Sequence, residues 1–359
     1  MNKKTPFYHL HEKHHAKFVS FASYLMPIQY KGVSLEHNHV RNHVGVFDVS
    51  HMAQIYIKGE NSFDLVQRIT TNDVAKLYPG KIQYSCMLNK AGGIIDDLLV
   101  YCINSNFYML VVNAANAEKD FTWICSNNID EVEIVNVTQN HGLLAVQGPD
   151  SYNLLQKLTS IDLGSIPYYS FKIDVFGDCE DVIISNTGYT GATGFELYMK
   201  KDVAEKIWLK LFEHSDNLQP IGLAARDTLR LEMGYCLYGN DINETTSPLE
   251  AGLSWIVKNS TDFIGKDAIL YQLSKGIKRL LVGFVLCERG IPRSGYDIFD
   301  DHDNLIGQVT SGTMSPFLQK SIGMGYVNKE ESTLGNHIFI VIRNKKVKAK
   351  IVKLPFYEK

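Results

Sequence analysis

The sequence predicts an α+β protein whose C-terminal region is mostly β-structure. Three observations support this class: paired strand signals at 94–103 and 107–113, helical periodicity over 203–212 and 221–232, and short strand-like segments that replace the helical period beyond residue 280. Apolar residues make up 45% of the 359 residues, a share typical of a chain with ordinary globular cores. A disordered or low-complexity chain is therefore excluded.

The first strand pair carries two adjacent carboxylates, Asp96 and Asp97, after the turn-forming Ala91-Gly92-Gly93. Because side chains alternate along a strand, Asp97 shares a face with Leu99 and Tyr101 while Asp96 points the other way. With a three-residue turn over 104–106, Asn113 lies directly across from Asp97. We expect one polar and aromatic surface made of Asp97, Tyr101 and Asn113, although an aspartate pair on a solvated hairpin also fits these residues.

A glycine-rich loop, Asn186-Thr187-Gly188-Tyr189-Thr190-Gly191, precedes a strand that begins with Gly194-Phe195-Glu196. The loop is not a phosphate cradle, because no Gly-Lys-Ser/Thr follows and no GxGxxG motif opens a helix. We interpret it as a tight turn that presents Tyr189 and Glu196.

Two apolar stretches read as helices. In 203–212 the apolar side chains recur at helical spacing, and in 221–232 the same spacing places Arg226 and Arg230 four residues apart on one face. Two such arginines commonly form surface salt bridges. The alternative is recognition of a carboxylate by a fixed guanidinium.

The C-terminal region reads as a series of short strands, at 280–286, 305–310, 337–343 and 347–354, the last two around Asn344-Lys345. Regular spacing of strands and turns predicts a small antiparallel barrel or sandwich.

Charge and cysteine usage exclude several classes of protein. The formal net charge of −3 provides no positive field for binding nucleic acid. No apolar run approaches the roughly 18 residues that span a bilayer, and the N-terminus does not resemble a secretory signal. The six cysteines form no CxxC pair, so we expect reduced thiols in a cytoplasmic protein without a membrane anchor.

Two further hypotheses concern histidines, a metal site and a serine hydrolase site, and the spacing of the residues supports neither. His9, His11, His14 and His15 fit no known pattern of metal ligands, so we expect no metal site. Ser50 precedes His51, but sequence neighbours on a strand point apart and no GxSxG elbow is present, so serine hydrolysis is not supported.

Together these segments resemble the aminomethyltransferase family of the glycine cleavage system, the T proteins. The resemblance covers nearly the whole chain and rests on segments that occur in the family's order: Thr5-Pro6-Phe7-Tyr8, Met26-Pro27-Ile28-Gln29-Tyr30, Phe47-Asp48-Val49-Ser50-His51-Met52, Gly92-Gly93-Ile94-Ile95-Asp96-Asp97-Leu98, Val146-Gln147-Gly148-Pro149, Gly188-Tyr189-Thr190-Gly191, Gly222-Leu223-Ala224-Ala225-Arg226-Asp227, Leu237-Tyr238-Gly239-Asn240-Asp241, Thr310-Ser311-Gly312 and Met324-Gly325-Tyr326-Val327.

The resemblance implies a three-domain cloverleaf around a folate channel, with a C-terminal antiparallel β-barrel. We expect a folate-binding catalytic region of two interleaved lobes over 1–270 and the barrel domain over 278–359. The implied activity is transfer of the methylene carbon of an aminomethyl group, carried on the lipoyl arm of the partner H protein, to tetrahydrofolate as co-substrate. The implied products are 5,10-methylenetetrahydrofolate, ammonia and dihydrolipoyl H protein.

The resemblance also implies site residues. Asp97 matches the family's essential carboxylate, expected to orient the folate, stabilise developing positive charge and take part in proton transfer. Glu196 is expected to accept the paired N–H donors of the aminopyrimidine. Arg226 is expected at the channel mouth, holding the folate tail or fixing the surface on which H protein docks. The matching pocket positions are Tyr84, Leu99, Tyr101, Asn113, Tyr189, Glu196, Arg226 and Tyr235.

Two positions depart from the family's usual pattern. Ala192-Thr193 stands where an acidic residue usually follows Gly191, and Phe21-Ala22-Ser23 stands where Phe-Ala-Gly is usual. Two alternatives share the fold: a folate-dependent demethylase of a small methylated substrate, and a non-enzymatic folate-binding repair factor for iron–sulfur clusters. The repair factor carries a Lys-Gly-Cys-aromatic motif where this chain has Asp262-Phe263-Ile264-Gly265-Lys266, which argues against it.

Overall fold

The computed structural model of the chain describes residues 2–129 and 131–357. Two compact units are present. The first comprises Met1–Ile69, Asp73–Ser85 and Leu98–Arg226, and the second comprises Thr70–Asn72, Cys86–Asp97 and Asp227–Lys359. The chain passes repeatedly from one unit to the other, which agrees with the absence of a Pro- or Ser-rich linker in the sequence. The expected division into 1–270 and 278–359 stays a prediction.

The strands, in chain order, are β1 (Lys17–Phe21), β2 (Tyr24–Gln29), β3 (Val44–Asp48), β4 (Ala53–Lys58), β5 (Ile82–Leu88), β6 (Ile94–Asn104), β7 (Phe107–Val112), β8 (Glu133–Asn136), β9 (His141–Gln147), β10 (Phe171–Phe176), β11 (Cys179–Ser185), β12 (Gly194–Lys200), β13 (Leu218–Pro220), β14 (Arg279–Leu286), β15 (Asp297–Phe299), β16 (Leu305–Met314), β17 (Ser321–Asn328), β18 (His337–Ile342) and β19 (Lys345–Val352). The α-helices are α1 (Tyr8–Lys13), α2 (Val33–Asn42), α3 (Ser62–Ile69), α4 (Ala117–Ser126), α5 (Ser151–Leu155), α6 (Ala204–Glu213), α7 (Leu223–Glu232) and α8 (Lys266–Lys275). None of these described helices combines the length and apolar character needed to cross a bilayer.

A six-stranded sheet forms the centre of the first unit, in the order β10-β11-β12-β9-β3-β13. Helix α6 packs on it because Ile207, Trp208 and Leu211 form an apolar stripe at helical spacing. These side chains belong to the same buried cluster as Val146 of β9 and Leu197 of β12. This packing positions β12 and the loop that precedes it, which carry two of the candidate site residues.

A five-stranded sheet, in the order β5-β6-β7-β4-β8, carries the predicted strand pair. Leu99 pairs with Val111 and Tyr101 with Met109, which is the register expected from the sequence. The expected three-residue turn is wrong in detail, because Asn104 pairs with Phe107 and a bulge lies between Cys102 and Asn104. The extra residue in the bulge compensates for the shorter turn, so the register beyond it is unchanged.

The C-terminal strands of the second unit form a closed barrel, in the order β14-β17-β16-β15-β18-β19. The α+β class and the C-terminal barrel are thus confirmed, and of the barrel and sandwich alternatives the barrel is correct. Strands β15 and β17 were not expected. β17 is glycine-rich because a Cβ at Gly323 would lie 2.5 Å from Phe284 Cζ, and one at Gly325 would lie 2.6 Å from the Gln308 carbonyl oxygen. Glycine is needed at these positions because of close packing, which strand propensities do not take into account.

Candidate active site

Strand β6 alternates between buried and partly exposed side chains at the position of the aspartate pair. Asp96 is fully buried, whereas Asp97 and Leu99 are partly exposed. The prediction that the two carboxylates point to opposite faces of the strand is therefore confirmed. Of the pair, Asp97 is the one whose side chain remains partly accessible.

Tyr101 lies on the same face of β6 but is fully buried, so in this structure it is not part of an open aromatic surface. Its hydroxyl lies 2.8 Å from the hydroxyl of Tyr198 and 3.0 Å from Ser185 Oγ. Burial, aided by the charge of Glu196, raises its pKa. Tyr101 is thus a neutral phenol in a buried hydroxyl network.

Glu196 lies on β12 and is 7% exposed. Its Oε2 accepts a hydrogen bond of 2.5 Å from Thr187 Oγ1. Burial raises the pKa of the carboxyl, whereas the Thr187 hydrogen bond and the positive charge of Arg226 oppose that rise. The site therefore contains a buried acceptor for N–H donors, stabilised by one neutral and one charged neighbour.

The loop before β12 is held by Gln147, the last residue of β9. The fully buried Gln147 amide donates to the Thr187 carbonyl at 3.2 Å and accepts from Thr190 Oγ1 at 2.9 Å. A Cβ at Gly188 would lie 2.1 Å from Gln147 Oε1, so this close approach requires glycine. Gln147 thereby fixes both sides of Tyr189, a role that sequence reasoning did not assign to it.

The guanidinium of Arg226, near the start of α7, lies over the ring of the partly exposed Tyr189. Its Nη1 is buried and has no hydrogen-bond partner among residues 2–129 and 131–357. A buried donor without an acceptor costs free energy unless a ligand supplies one. Arg226 is thus partly exposed as a residue while its Nη1 is a buried donor, and its expected place at the channel mouth stays a prediction.

His51 also belongs to the surroundings of Arg226. It is 4% exposed, its ring packs edge-on against Phe21 with centroids 5.5 Å apart, and its Nδ1 has no hydrogen-bond partner in the described part of the chain. Burial lowers the pKa of His51 to about 4; Arg226 contributes to the shift and Asp48 opposes it. The sequence showed His51 in a family motif, but nothing in its spacing indicated this environment.

Ser50, the neighbour of His51, is held by Asp48 instead. Its Oγ donates to Asp48 Oδ1 at 2.6 Å. Asp48 also contacts His11, whose Nε2 lies 2.9 Å from Oδ2. His11 is therefore a buried structural partner. His9 contacts Glu205 on the surface at 3.0 Å, and no cluster suited to a metal ion occurs among the described residues.

The remaining candidate pocket residues of the first unit are Tyr84, Leu99 and Asn113, and each is partly exposed. Tyr84 lies on β5, Leu99 on β6, and Asn113 directly after β7. Side chains at these positions therefore retain surface that a ligand could contact.

In the second unit, Asp97 lies near two thiols that sequence reasoning did not single out. Burial raises the pKa of Cys86 and of Cys236 well above the usual thiol value, and the negative charge of Asp97 adds to both shifts. Neither cysteine forms a disulfide within the described residues. Two neutral thiols therefore lie near the carboxylate of Asp97.

Arg230 contradicts the interpretation of a surface salt bridge. It is 1% exposed and its Nη1 lies 2.7 Å from Oδ2 of the buried Asp241. Its Nε donates to Asp227 at 2.8 Å, its Nη2 to Ser311 Oγ at 2.8 Å, and its Nη1 also to the carbonyl of the partly exposed Tyr235. Arg230 thus holds the backbone around Tyr235 and has a structural role.

Comparisons with known proteins identify the family of the chain. The chain matches the families described as "GCVT N-terminal domain" over residues 7–261 and "Glycine cleavage T-protein C-terminal barrel domain" over 279–358. Proteins named aminomethyltransferase are similar to it: that of Flavobacterium psychrophilum is 54% identical, covering 99% of this chain and 100% of the relative. That of Bacteroides thetaiotaomicron is 53% identical, covering 99% of each chain.

A solved structure leads to the same family. The crystal structure of glycine cleavage system aminomethyltransferase T from Bartonella henselae is 36% identical, with a TM-score of 0.93 over 99% of this chain and 98% of that one. The predicted enzyme class, a transferase that uses tetrahydrofolate as co-substrate, is confirmed, and the demethylase and repair-factor alternatives are not favoured. The chain belongs to the aminomethyltransferase family of the glycine cleavage system, the T proteins.

Proposed function

We propose that this enzyme takes its one-carbon unit from the aminomethyl group on the lipoyl arm of an H protein. The C–S bond to the lipoyl sulfur and the C–N bond to the amino group break, and two C–N bonds form to nitrogens 5 and 10 of tetrahydrofolate. The two protons released from those nitrogens end on ammonia and on the lipoyl thiol. No oxidant is required, because the carbon keeps its oxidation state.

The observation that carries this proposal is that Glu196 and Arg226 are close enough to influence each other's charge, with the Arg226 guanidinium over the Tyr189 ring. A pterin is flat, offers adjacent N–H donors, and has a carbonyl acceptor. The buried Glu196 carboxylate suits the donors, the buried Arg226 Nη1 suits an acceptor, and the Tyr189 ring provides an aromatic wall. These residue types fit a reduced folate.

Asp97 is proposed as the catalytic carboxylate. Its partly exposed position on β6 supports this role, because its fully buried neighbour Asp96 cannot reach a ligand on the same face. A carboxylate beside neutral thiols stabilises positive charge on an iminium-like carbon more strongly than one in water. It acts through placement and charge, and it can accept a proton from the attacking nitrogen.

The remaining residues of the proposed pocket are Tyr84, Leu99, Tyr101, Asn113 and Tyr235. Leu99 and the two partly exposed tyrosines, Tyr84 and Tyr235, supply apolar and aromatic contact, and the Asn113 amide supplies a hydrogen bond at the pterin edge. Tyr101 is buried and contributes indirectly, through the hydroxyl network to which it belongs. The proposed setting is the cytoplasm, which agrees with six cysteines that form no disulfide among the described residues.

Incubation with lipoylated H protein, loaded from glycine labelled with carbon-13 at its methylene carbon, tests the proposal. We expect tetrahydrofolate to stimulate ammonia release and the label to appear in 5,10-methylenetetrahydrofolate. Matched reactions omit tetrahydrofolate or contain unlipoylated H protein. Labelled folate formed equally well from a small methylated amine, with no requirement for H protein, would support the demethylase instead.

A further inference from the structure

Four buried hydroxyl groups form a continuous chain that ends at Glu196. The Tyr198 hydroxyl lies 2.8 Å from that of Tyr101, which lies 3.0 Å from Ser185 Oγ. Ser185 Oγ lies 2.7 Å from Thr187 Oγ1, and Thr187 donates to Glu196 Oε2 at 2.5 Å. None of the five residues is more than 7% exposed.

The carboxylate determines the direction of the hydrogen bonds in this chain. An ionised carboxylate only accepts, so Thr187 donates to Glu196. Each hydroxyl has a single proton, so Ser185 then donates to Thr187 and Tyr101 donates to Ser185. Tyr198 completes the series by donating to Tyr101, and all four O–H dipoles point towards the negative charge.

Burying four hydroxyls would be costly without this arrangement. The Tyr101 ring packs against Phe171 and Tyr198, with centroids 5.3 Å and 5.4 Å away, so these surroundings are aromatic. Phenylalanine would satisfy the packing at both tyrosine positions without any polar atom. The hydroxyls therefore indicate a requirement beyond packing, and their shared end point is Glu196.

We propose that this hydroxyl chain holds Glu196 ionised and fixes its orientation, which makes Thr187 and Tyr101 positioning residues for ligand recognition. Oε2 accepts the hydrogen bond from Thr187, and the proposal assigns Oε1 to the N–H donors of the ligand. The inference rests on the proposed function, because it assigns that ligand to the folate class.

Other groups around Glu196 also affect the protonation equilibrium of its carboxyl group. Arg226 on α7 favours the charged carboxylate, and burial disfavours it. Tyr101 on β6 and Tyr198 on β12 also sense its charge, but both remain neutral phenols. Removal of the Thr187 hydroxyl therefore shifts the balance towards the protonated acid.

Thr187→Val, which keeps the shape of the side chain and removes its hydroxyl, tests the proposal. The pKa of Glu196 is measured directly by carbon-13 NMR of labelled glutamate, with Glu196→Gln identifying the resonance. In Thr187→Val we expect this pKa to rise by about one unit, since a hydrogen bond to a charged group is lost. Thr187→Ser restores the donor and should titrate like the wild type.

Tyr101→Phe removes a hydroxyl farther along the chain and should give a smaller rise in the same direction. Tyr56→Phe is its matched control, because the Tyr56 hydroxyl bonds to His141 and lies outside the chain. In binding titrations, the acid limit for tetrahydrofolate should move to higher pH in the same order of variants, with affinity near that limit about tenfold weaker for Thr187→Val.

The outcomes separate the two proposals. An unchanged Glu196 pKa in a folded Thr187→Val protein, or equal pKa values in Tyr101→Phe and wild type, overturns the role of the hydroxyl chain even if folate binds. Absence of tetrahydrofolate binding by the wild-type protein overturns the proposed function instead, whatever the NMR titration shows. A lower melting temperature without a change in either titration indicates a purely structural network.

Discussion

The guanidinium carbon of Arg226 lies over the Tyr189 ring, 4.9 Å from its centroid. Such stacking holds a planar guanidinium in a fixed orientation while leaving its edge nitrogens able to donate. Because Nη1 is buried without an acceptor among the described residues, Arg226 combines a fixed position with an unused donor. The first prediction follows from this pair.

Arg226→Ala should raise the Kd for tetrahydrofolate by about 10- to 100-fold, the effect of losing one hydrogen bond from a charged donor. The change should depend little on ionic strength, since a buried contact is poorly screened by salt. Isothermal titration at two salt concentrations measures both effects. Arg230→Ala is the contrasting variant: loss of the buried pair with Asp241 should lower the melting temperature strongly. If Arg226→Ala instead unfolds while the folded fraction binds normally, Arg226 is structural.

His51 should make the protein less stable as the pH falls below neutral. Its pKa is about 4 in the folded protein and near 6.5 in the unfolded chain, so between these values the unfolded chain binds the proton more readily. The loss of stability should begin near pH 6.5, be complete near pH 4, and amount to on the order of 3 kcal/mol.

Urea unfolding of wild type and His51→Gln across this pH range measures that contribution as the difference between the two curves. The difference in the free energy of unfolding between the two proteins should change steadily from pH 6.5 to 4 and stay constant above pH 7.5. A gap that does not vary with pH would show that His51 titrates normally in the folded protein.

Ser23→Gly should stabilise the protein. Ser23 and Ala22 form the β1–β2 turn with positive φ angles, and each non-glycine residue in this conformation costs about 1 kcal/mol. Part of that gain is lost because glycine makes the unfolded chain more flexible, so we expect a net increase of about 0.5 kcal/mol in the free energy of unfolding. Chemical denaturation measures it, with Ser20→Gly in β1 as a control that should destabilise. A destabilised Ser23→Gly variant would mean that the turn is not strained.

Patterns with a short period could be predicted from the sequence, and contacts between distant segments could not. Alternation along β6 assigned Asp96 and Asp97 to opposite faces, and the register of β6 with β7 followed from a short turn. The bulge near Cys102 was not predicted. It adds one residue while the turn has one residue fewer than expected, so the register of the strand pair beyond it is the expected one.

Charge patterns were less informative. Arg226 and Arg230 have equivalent helical positions, yet one faces Tyr189 and the other is buried against Asp241. Tyr189 and Asp241 lie 11 or more positions from these arginines, beyond the range of helical periodicity, although Asp227, which Arg230 also contacts, lies within it. For the same reason the sequence did not reveal the environment of His51 or the chain of hydroxyls behind Glu196, whose members come from three separate strands and a loop.

The catalytic role of Asp97 is tested most directly by single-turnover ammonia release from loaded H protein in the presence of saturating tetrahydrofolate. Asp97→Asn keeps the shape of the side chain and removes its charge, and it should slow the step by about 100-fold or more with little change in the Kd for tetrahydrofolate. Asp96→Asn, on the buried face of β6, is the matched control and should retain a far larger share of the rate in protein that remains folded. Equal losses in the two folded variants, or a normal rate in Asp97→Asn, would contradict the assignment of catalysis to Asp97.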